Sequence, residues 1–163
     1  MLSLNDDQKK EYFYQGYAKV DGLWFVKVEE KYGFDKALCI DEEVWKVMPK
    51  IQARLLKKMG NKGNGLESLF ECLTTKLNIE GYDFTTELNE DKKEFFISIK
   101  KCPWYMIMVK SGRENLTAKI GPRICGSEYT AWAEEFGPGI SFSLDTNMCN
   151  SNSDCVLRFF VSA

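Results

Sequence analysis

The chain has 163 residues, of which 44% are hydrophobic and 28% are charged, and its formal net charge is −2. This composition is typical of one globular domain and excludes an intrinsically disordered chain. Acidic and basic side chains are mixed without a basic block, which argues against a nucleic-acid partner. The sequence contains no histidine, which excludes catalytic dyads and triads built on imidazole.

The sequence carries no signal of membrane insertion or export. Its longest apolar run, Trp104–Val109, is about a third of the ~18 residues that a membrane-spanning helix needs. The first residues lack both a basic leader and an apolar segment. We therefore expect a cytoplasmic protein with no membrane span.

The first half of the sequence is predicted to be helical. Asn5 has the side chain of an N-cap, and apolar residues at helical spacing predict a helix from there to about Lys31. Its apolar stripe comprises Phe13, Tyr17, Val20, Trp24 and Val28. A second helix should begin at Asp41 and bend at Pro49. Its predicted buried stripe comprises Val44, Val47, Met48, Ile51 and Leu55. A glycine-rich loop at residues 60–65 precedes a third helix that begins near Leu66.

The second half changes to the period of β-strands. Alternating apolar residues on either side of residues 89–93 predict a hairpin that ends at Cys102-Pro103. Gly121-Pro122 should open a fourth helix with proline at its first position, and two strands should follow Gly137. Helices followed by strands with one inserted helix indicate an α+β fold, with N-terminal helices packed on an antiparallel sheet. We predict one domain over residues 1–163, with long helices at 5–60 and an α+β core at 66–163.

Four of the six cysteines lie in the second half of the chain: Cys102, Cys125, Cys149 and Cys155. If the fourth helix begins over the ends of the strands, these thiols can meet at one point. Four thiolates would then form a closed, structural zinc site. The spacing is not that of a zinc ribbon, so a redox pair and four buried thiols that act as small apolar residues stay open as alternatives.

Candidate ligand-binding and catalytic residues surround the same segment. Arg113 and Arg123 could hold a ligand carboxylate in a bidentate grip. Tyr129 and Trp132 could line an apolar cavity, although aromatic residues more often fill a core. Glu128 is the best candidate for a general base, with burial against tryptophan raising its pKa.

Two stretches carry a resemblance to known families. The pattern from Trp132-Ala-Glu-Glu-Phe-Gly137 through Asp145-x3-Cys149-x5-Cys155-x3-Phe159 resembles the end of the vinyl-reductase-type domain. The segment Ile120-Gly-Pro-Arg-Ile-Cys-Gly-Ser-Glu128 is similar to the L-2-amino-thiazoline-4-carboxylate hydrolase-like families. Together the likeness covers residues 66–163.

The resemblance implies a ligand-binding domain of the nitric-oxide-signalling and vesicle-tethering type. It implies a hydrocarbon-like or carboxylate-bearing small molecule as ligand, and metal ligation by Cys149 and Cys155, joined by Cys125 and Cys102. The leading hypothesis is therefore a small-molecule-binding domain with a zinc site. The alternatives are a hydrolase of a small cyclic amino-acid-like substrate, with Glu128 or Cys125 in its active site, and a non-catalytic interaction subunit. A homodimer is compatible with all three.

Overall fold

The computed structural model describes residues 1–89, 93–150 and 153–161. Its chain divides into two compact units, Met1–Asp41 and Glu42–Ala163. The prediction of one domain stays a prediction. Within the described residues, no helix combines the length and the apolar character needed to cross a membrane.

Helix α1, Asp6–Tyr32, confirms the first predicted helix. The Asn5 side chain accepts a hydrogen bond from the backbone N–H of Gln8, and the Gln8 side chain accepts one from the N–H of Asn5, which forms a capping box. The helix ends at Gly33, whose φ is 84°. Residues with a Cβ atom rarely adopt a positive φ, so glycine is favoured at this position.

The predicted apolar stripe of α1 is largely exposed. Phe13, Val20 and Trp24 each expose more than half of their surface, whereas Val28 is buried. Helical spacing reports that these residues share one face, but it cannot report whether another element covers that face.

The predicted kinked helix beginning at Asp41 is wrong, because two helices occupy this region: α2, Phe34–Trp45, and α3, Met48–Gly60. Pro49 lies in the first turn of α3, where its missing N–H has no cost. The predicted buried stripe is also wrong. Ala53 and Pro49 are buried instead, and the exposed members of the stripe are Val44, Val47, Ile51 and Leu55.

The third helix and the hairpin agree with the prediction. Helix α4 spans Leu66–Ile79 after the predicted loop, and strands β1 and β2 span Asp83–Leu88 and Glu94–Lys101. Three residues of the predicted connection, 90–92, lie outside the described residues.

The region between the two pairs of strands holds two helices where one was predicted. Helix α5, Pro103–Lys110, contains the apolar run Trp104–Val109, for which the sequence analysis predicts no helix. A 3₁₀ turn at Glu114–Leu116 follows. Helix α6, Thr117–Phe136, begins before Pro122, so the prediction of proline at the first position is wrong.

The sheet is antiparallel throughout, which confirms the predicted α+β class. Strands β3, Ile140–Thr146, and β4, Cys155–Val161, complete it in the order β1-β2-β4-β3. In this register Cys155 lies opposite Ile99 of β2.

The core lies between one face of this sheet and the helices α4 and α6. Strands β2 and β4 contribute alternate residues, as expected for a sheet with one buried face. The largest fully buried side chains include Trp132, Tyr129, Phe95, Phe136, Phe159, Leu69 and Leu73. Cys155, at the start of β4, lies on the face of the sheet that packs against this core.

Candidate functional site

Four cysteines from separate elements lie in one region near one end of the sheet, and we call them the sulfur cluster: Cys102, Cys125, Cys149 and Cys155. Cys102 follows the last residue of β2, and Cys155 begins β4. Cys125 comes from α6, and Cys149 from the connection between β3 and β4. Burial raises the pKa of Cys125 most, and the charges of Glu128 and of the other three sulfurs raise it further.

Burial keeps the thiols of the sulfur cluster protonated at neutral pH. Desolvation raises the pKa of Cys102 to about 11 and that of Cys149 to about 12. The same cause raises the pKa of Cys125 and of Cys155. None of the four thiols forms a disulfide bond in this structure.

Two of these sulfurs accept hydrogen bonds from the backbone. The N–H of Tyr105 donates to Cys102 Sγ at 3.5 Å, and the N–H of Met148 donates to Cys155 Sγ at 3.3 Å. Cys102 is also the N-cap of α5, where the helix dipole favours negative charge. The side chain of Tyr82 forms a further hydrogen bond to Cys102. These contacts favour the thiolate and oppose the effect of burial at Cys102 and Cys155.

Cys149 is held by packing against α6. A Cβ atom added at Gly121 would lie 2.6 Å from Cys149 Sγ, closer than two such atoms can approach. Its sulfur is also hydrogen-bonded to the side chain of Thr117, one turn earlier in α6. A glycine at position 121 therefore makes room for this thiol.

An open cleft of about 280 Å³ adjoins the sulfur cluster at Cys102. We call it the sulfur cleft. Its lining includes Lys100, Lys101, Cys102, Tyr105, Met106 and Met148. Asp154 also lines the cleft. Burial is the main cause of the raised pKa of Cys155, and the negative charge of Asp154 adds to it. The cleft thus combines two cations, two thioethers and an aromatic ring beside a thiol.

The described parts of the chain contain no group of three or more cysteine, aspartate or glutamate side chains spaced to hold a metal ion. The sulfur cluster brings four thiols into one region without setting them at the corners of a coordination tetrahedron, which structural zinc requires. The prediction of a zinc site at Cys102, Cys125, Cys149 and Cys155 stays a prediction.

A buried triad of charges lies in the same unit, on α4 and α6. Lys76 Nζ is 2.5 Å from Glu128 Oε1 and 2.9 Å from Glu80 Oε2, and the three side chains are 4–16% exposed. Burial alone would lower the pKa of Lys76, but the two carboxylates outweigh it and raise that pKa. Burial raises the pKa of Glu80 above its usual value, despite the ammonium beside it. We call these three residues the buried triad.

The predicted catalytic and aromatic residues are core residues in this structure. Glu128 is buried and paired with Lys76. Trp132 is stacked on Phe136, with their ring centroids 6.0 Å apart, and its indole nitrogen has no hydrogen-bond partner among the described residues. Tyr129 is buried, and burial raises its pKa well above the usual value. None of the three lines the sulfur cleft.

The two arginines also differ from the predicted carboxylate grip. Arg123 forms an ion pair with Glu42, which also accepts a hydrogen bond from Ser127. Arg113 is half-buried and is the N-cap of the 3₁₀ turn before α6. Their ligand-binding roles stay predictions, as do the hydrolase and the homodimer.

Sequence reasoning missed the cations and thioethers around the site. Lys76 follows Leu73 by three residues and precedes Glu80 by four, so a buried pair on the apolar face of α4 could have been inferred. Met106 and Met148 gave no such signal, because their approach to Cys102 depends on the sheet register and on the placement of α5.

Comparison with known proteins places the chain in a family. The pattern of DUF6125, described as a family of unknown function, matches residues 5–156. The chain belongs to the DUF6125 family. Neither this match nor the following one bears on the resemblance to vinyl-reductase-type or thiazoline-carboxylate hydrolase-like families, which stays a prediction. No curated protein sequence matches the chain.

Among solved structures, this DUF6125 protein is similar to a trafficking protein particle complex subunit 3 from Naegleria fowleri that is covalently bound to palmitic acid. The two sequences are 13% identical, and the alignment covers 94% of this chain and 97% of that one with a TM-score of 0.49.

Proposed function

We propose that this DUF6125 protein binds a thiophilic metal ion through the sulfur cluster. The single observation that supports this most is the position of four thiols in one region near one end of the sheet: after β2, within α6, at the start of β4 and in the β3–β4 connection. Free cysteines in a core are usually dispersed small hydrophobic groups. Four of six in one region, bordered by a cleft, fit a soft-ligand site.

The class of ion follows from the donors. Thiolate and thioether sulfur prefer soft or borderline ions such as zinc and copper(I), whereas oxygen-rich sites prefer magnesium or calcium. Zinc, the ion predicted from the sequence, belongs to this class. The chain offers no imidazole, so sulfur must supply most of the bonds.

Metal binding must displace protons here, because the thiols are protonated in the free protein. Each thiol that becomes a ligand releases one proton, so that below the thiol pKa the affinity rises about tenfold per pH unit for each one. We expect binding to strengthen steeply between about pH 6 and 8. Competition titrations of the reduced protein against a chromophoric zinc chelator, at several pH values, measure this slope.

The matched control is Cys39→Ser. Cys39 is exposed and lies outside the sulfur cluster, so this variant should bind like the wild type. Replacing cluster cysteines singly should weaken binding by about tenfold or more. A reduced protein that binds neither zinc nor copper(I), or one whose binding is lost equally in Cys39→Ser, would contradict the proposal.

A second candidate function, binding of a small apolar carboxylate, is favoured by the sulfur cleft. Lys100 and Lys101 could neutralise a carboxylate, and Tyr105, Met106 and Met148 could contact an apolar chain. We expect octanoate to bind the reduced protein, and Lys101→Ala to weaken it about fivefold through the lost charge. Calorimetry with octanoate and with octanol, which lacks the charge, measures this. Equal affinity for both compounds, or for Lys101→Ala and wild type, would contradict it.

A further inference from the structure

Helix α5 contains the longest apolar run of the sequence, Trp104–Val109, and yet has an exposed side. Its inner side is covered, because Met108 is buried and a Cβ atom added at Gly121 of α6 would lie 3.8 Å from the ring of Trp104. Three apolar side chains on its outer side are 37%, 44% and 41% exposed: Met106, Ile107 and Val109. A surface helix usually turns polar residues to water, so this apolar side is unusual.

Lysines border the outer side of α5 at both of its ends. Lys100 and Lys101 are the last residues of β2, and they line the sulfur cleft together with Met106. Lys110 is the last residue of α5 and lies one helical turn after Met106. All three lysines are exposed. We call this surface the α5 face, and it comprises Lys100, Lys101, Met106, Ile107, Val109 and Lys110.

The positive charge of the α5 face is not balanced by ion pairs. Within residues 1–89, 93–150 and 153–161, no carboxylate forms an ion pair with its three lysines, although Asp154 also lines the sulfur cleft. Helix α3 provides a contrast, because Lys50 pairs with Glu134 and Lys57 with Glu135 beside its exposed apolar stripe. The α5 face therefore combines exposed apolar side chains with uncompensated positive charge.

We infer that the α5 face docks this protein on an anionic lipid bilayer. Binding at a membrane surface needs apolar side chains that enter the boundary between headgroups and acyl chains, and basic side chains that meet anionic headgroups. The α5 face offers both on a helix of two turns. A stable protein interface buries about 800 Å² per partner, far more than three side chains that are less than half exposed can provide.

The sulfur cleft opens on the same surface. Lys100, Lys101 and Met106 belong to both the cleft and the α5 face. A bilayer docked on the α5 face would therefore lie at the mouth of the cleft, where amphiphilic molecules of the membrane could reach it. Docking itself uses none of the four thiols, so it does not rest on the proposed metal-binding function.

Co-sedimentation of the full chain with vesicles, in the presence of a metal chelator, tests this docking. One set of vesicles is phosphatidylcholine, and the other contains about one third phosphatidylserine. We expect at least about tenfold tighter binding to the anionic vesicles, because each lysine near such a surface contributes about fivefold. Raising the salt from about 0.1 M to about 1 M shortens the Debye length from ~10 Å to ~3 Å and should remove this preference.

Two variants of the α5 face have matched controls on α3. Lys110→Ala and Ile107→Ser should each weaken binding to anionic vesicles by about fivefold, through lost charge and lost apolar contact. Neither residue lines the sulfur cleft, so octanoate binding should not change. The controls are Lys58→Ala and Ile51→Ser, which alter an exposed lysine in the last turn of α3 and an isoleucine that is 53% exposed. Both controls should bind vesicles like the wild type.

Several outcomes would overturn the docking proposal. Equal binding to the two kinds of vesicle, or binding to neither, would contradict it, and the salt series on the wild type measures this even if Ile107→Ser does not fold. Equal losses in the α5 and α3 variants would place the contact elsewhere on the surface. Self-association without lipid that Ile107→Ser abolishes would assign the α5 face to a second copy of the chain instead.

Discussion

Lys76→Met is expected to destabilise the protein by about 3–5 kcal/mol at pH 7. The substitution keeps an apolar chain of similar length but removes the ammonium between Glu128 and Glu80, with which Lys76 now pairs at 2.5 and 2.9 Å. Two carboxylates would then remain in a region where the Lys76 side chain is only 4% exposed. Urea unfolding followed by tryptophan fluorescence measures the loss.

The loss should depend on pH in a defined direction. Without Lys76, burial and repulsion from the carboxylate of Glu128 hold the folded-state pKa of Glu80 above its unfolded value. The penalty is then complete above that raised pKa and shrinks as the pH falls and the carboxyls take up protons. The deficit of Lys76→Met should therefore be smaller at about pH 5 than at pH 7.

Lys50→Met is the matched control for this prediction. Lys50 also pairs with a glutamate of α6, Glu134 at 3.2 Å, but both side chains are more than a third exposed. We expect this variant to stay within about 0.5 kcal/mol of the wild type. Similar losses in the two variants would show that the buried triad is not a special feature of the core.

Phe159→Ala should cost about 3–5 kcal/mol of stability through the cavity it leaves. Phe159 is fully buried at the centre of the sheet, and its ring stacks on Phe95 with centroids 4.9 Å apart. It also contacts Tyr129 and Phe142 at centroid distances of 6.3 and 5.1 Å. The loss would thus reach rings of β2, β3 and α6 together.

Phe160→Ala provides the comparison on the same strand. Phe160 points to the opposite face, where the Arg158 guanidinium lies 4.7 Å from its ring centroid, and it is half-buried. We expect a loss of about 1 kcal/mol, chiefly from this contact. Thermal denaturation of both variants measures the difference, and a larger loss for Phe160→Ala would place the main core on the other side of the sheet.

The sequence predicts the local structure correctly where a single sequence signal, such as a helix cap or an alternating pattern, acts without competition. The Asn5 cap, the loop at residues 60–65 and the alternation in β2 and β4 each correspond to a structural feature. The errors arose where local signals competed. Pro49 is predicted to kink a helix, whereas it lies in the first turn of α3. Pro122 is predicted at the first position of a helix, whereas it lies inside α6.

The candidate site was only partly within reach of sequence reasoning. The sequence shows the cysteines as a set, but it does not predict the backbone N–H groups of Tyr105 and Met148 that donate to Cys102 and Cys155. Those contacts arise from the unforeseen helix α5 and from the chain turn before β4. Likewise, Glu128 was noticed as a carboxylate on α6, but its partner Lys76 is 52 residues away in the chain.

The thiols differ in solvent exposure, so one cysteine of the chain can be labelled selectively. Of the six cysteines, all of which the structure describes, Cys39 alone is exposed. A maleimide fluorophore applied briefly at neutral pH should therefore attach at one place in the first unit and spare the protonated sulfurs of the second. A protein labelled with one dye at Cys39 would allow self-association or metal uptake to be followed by fluorescence without modifying the sulfur cluster.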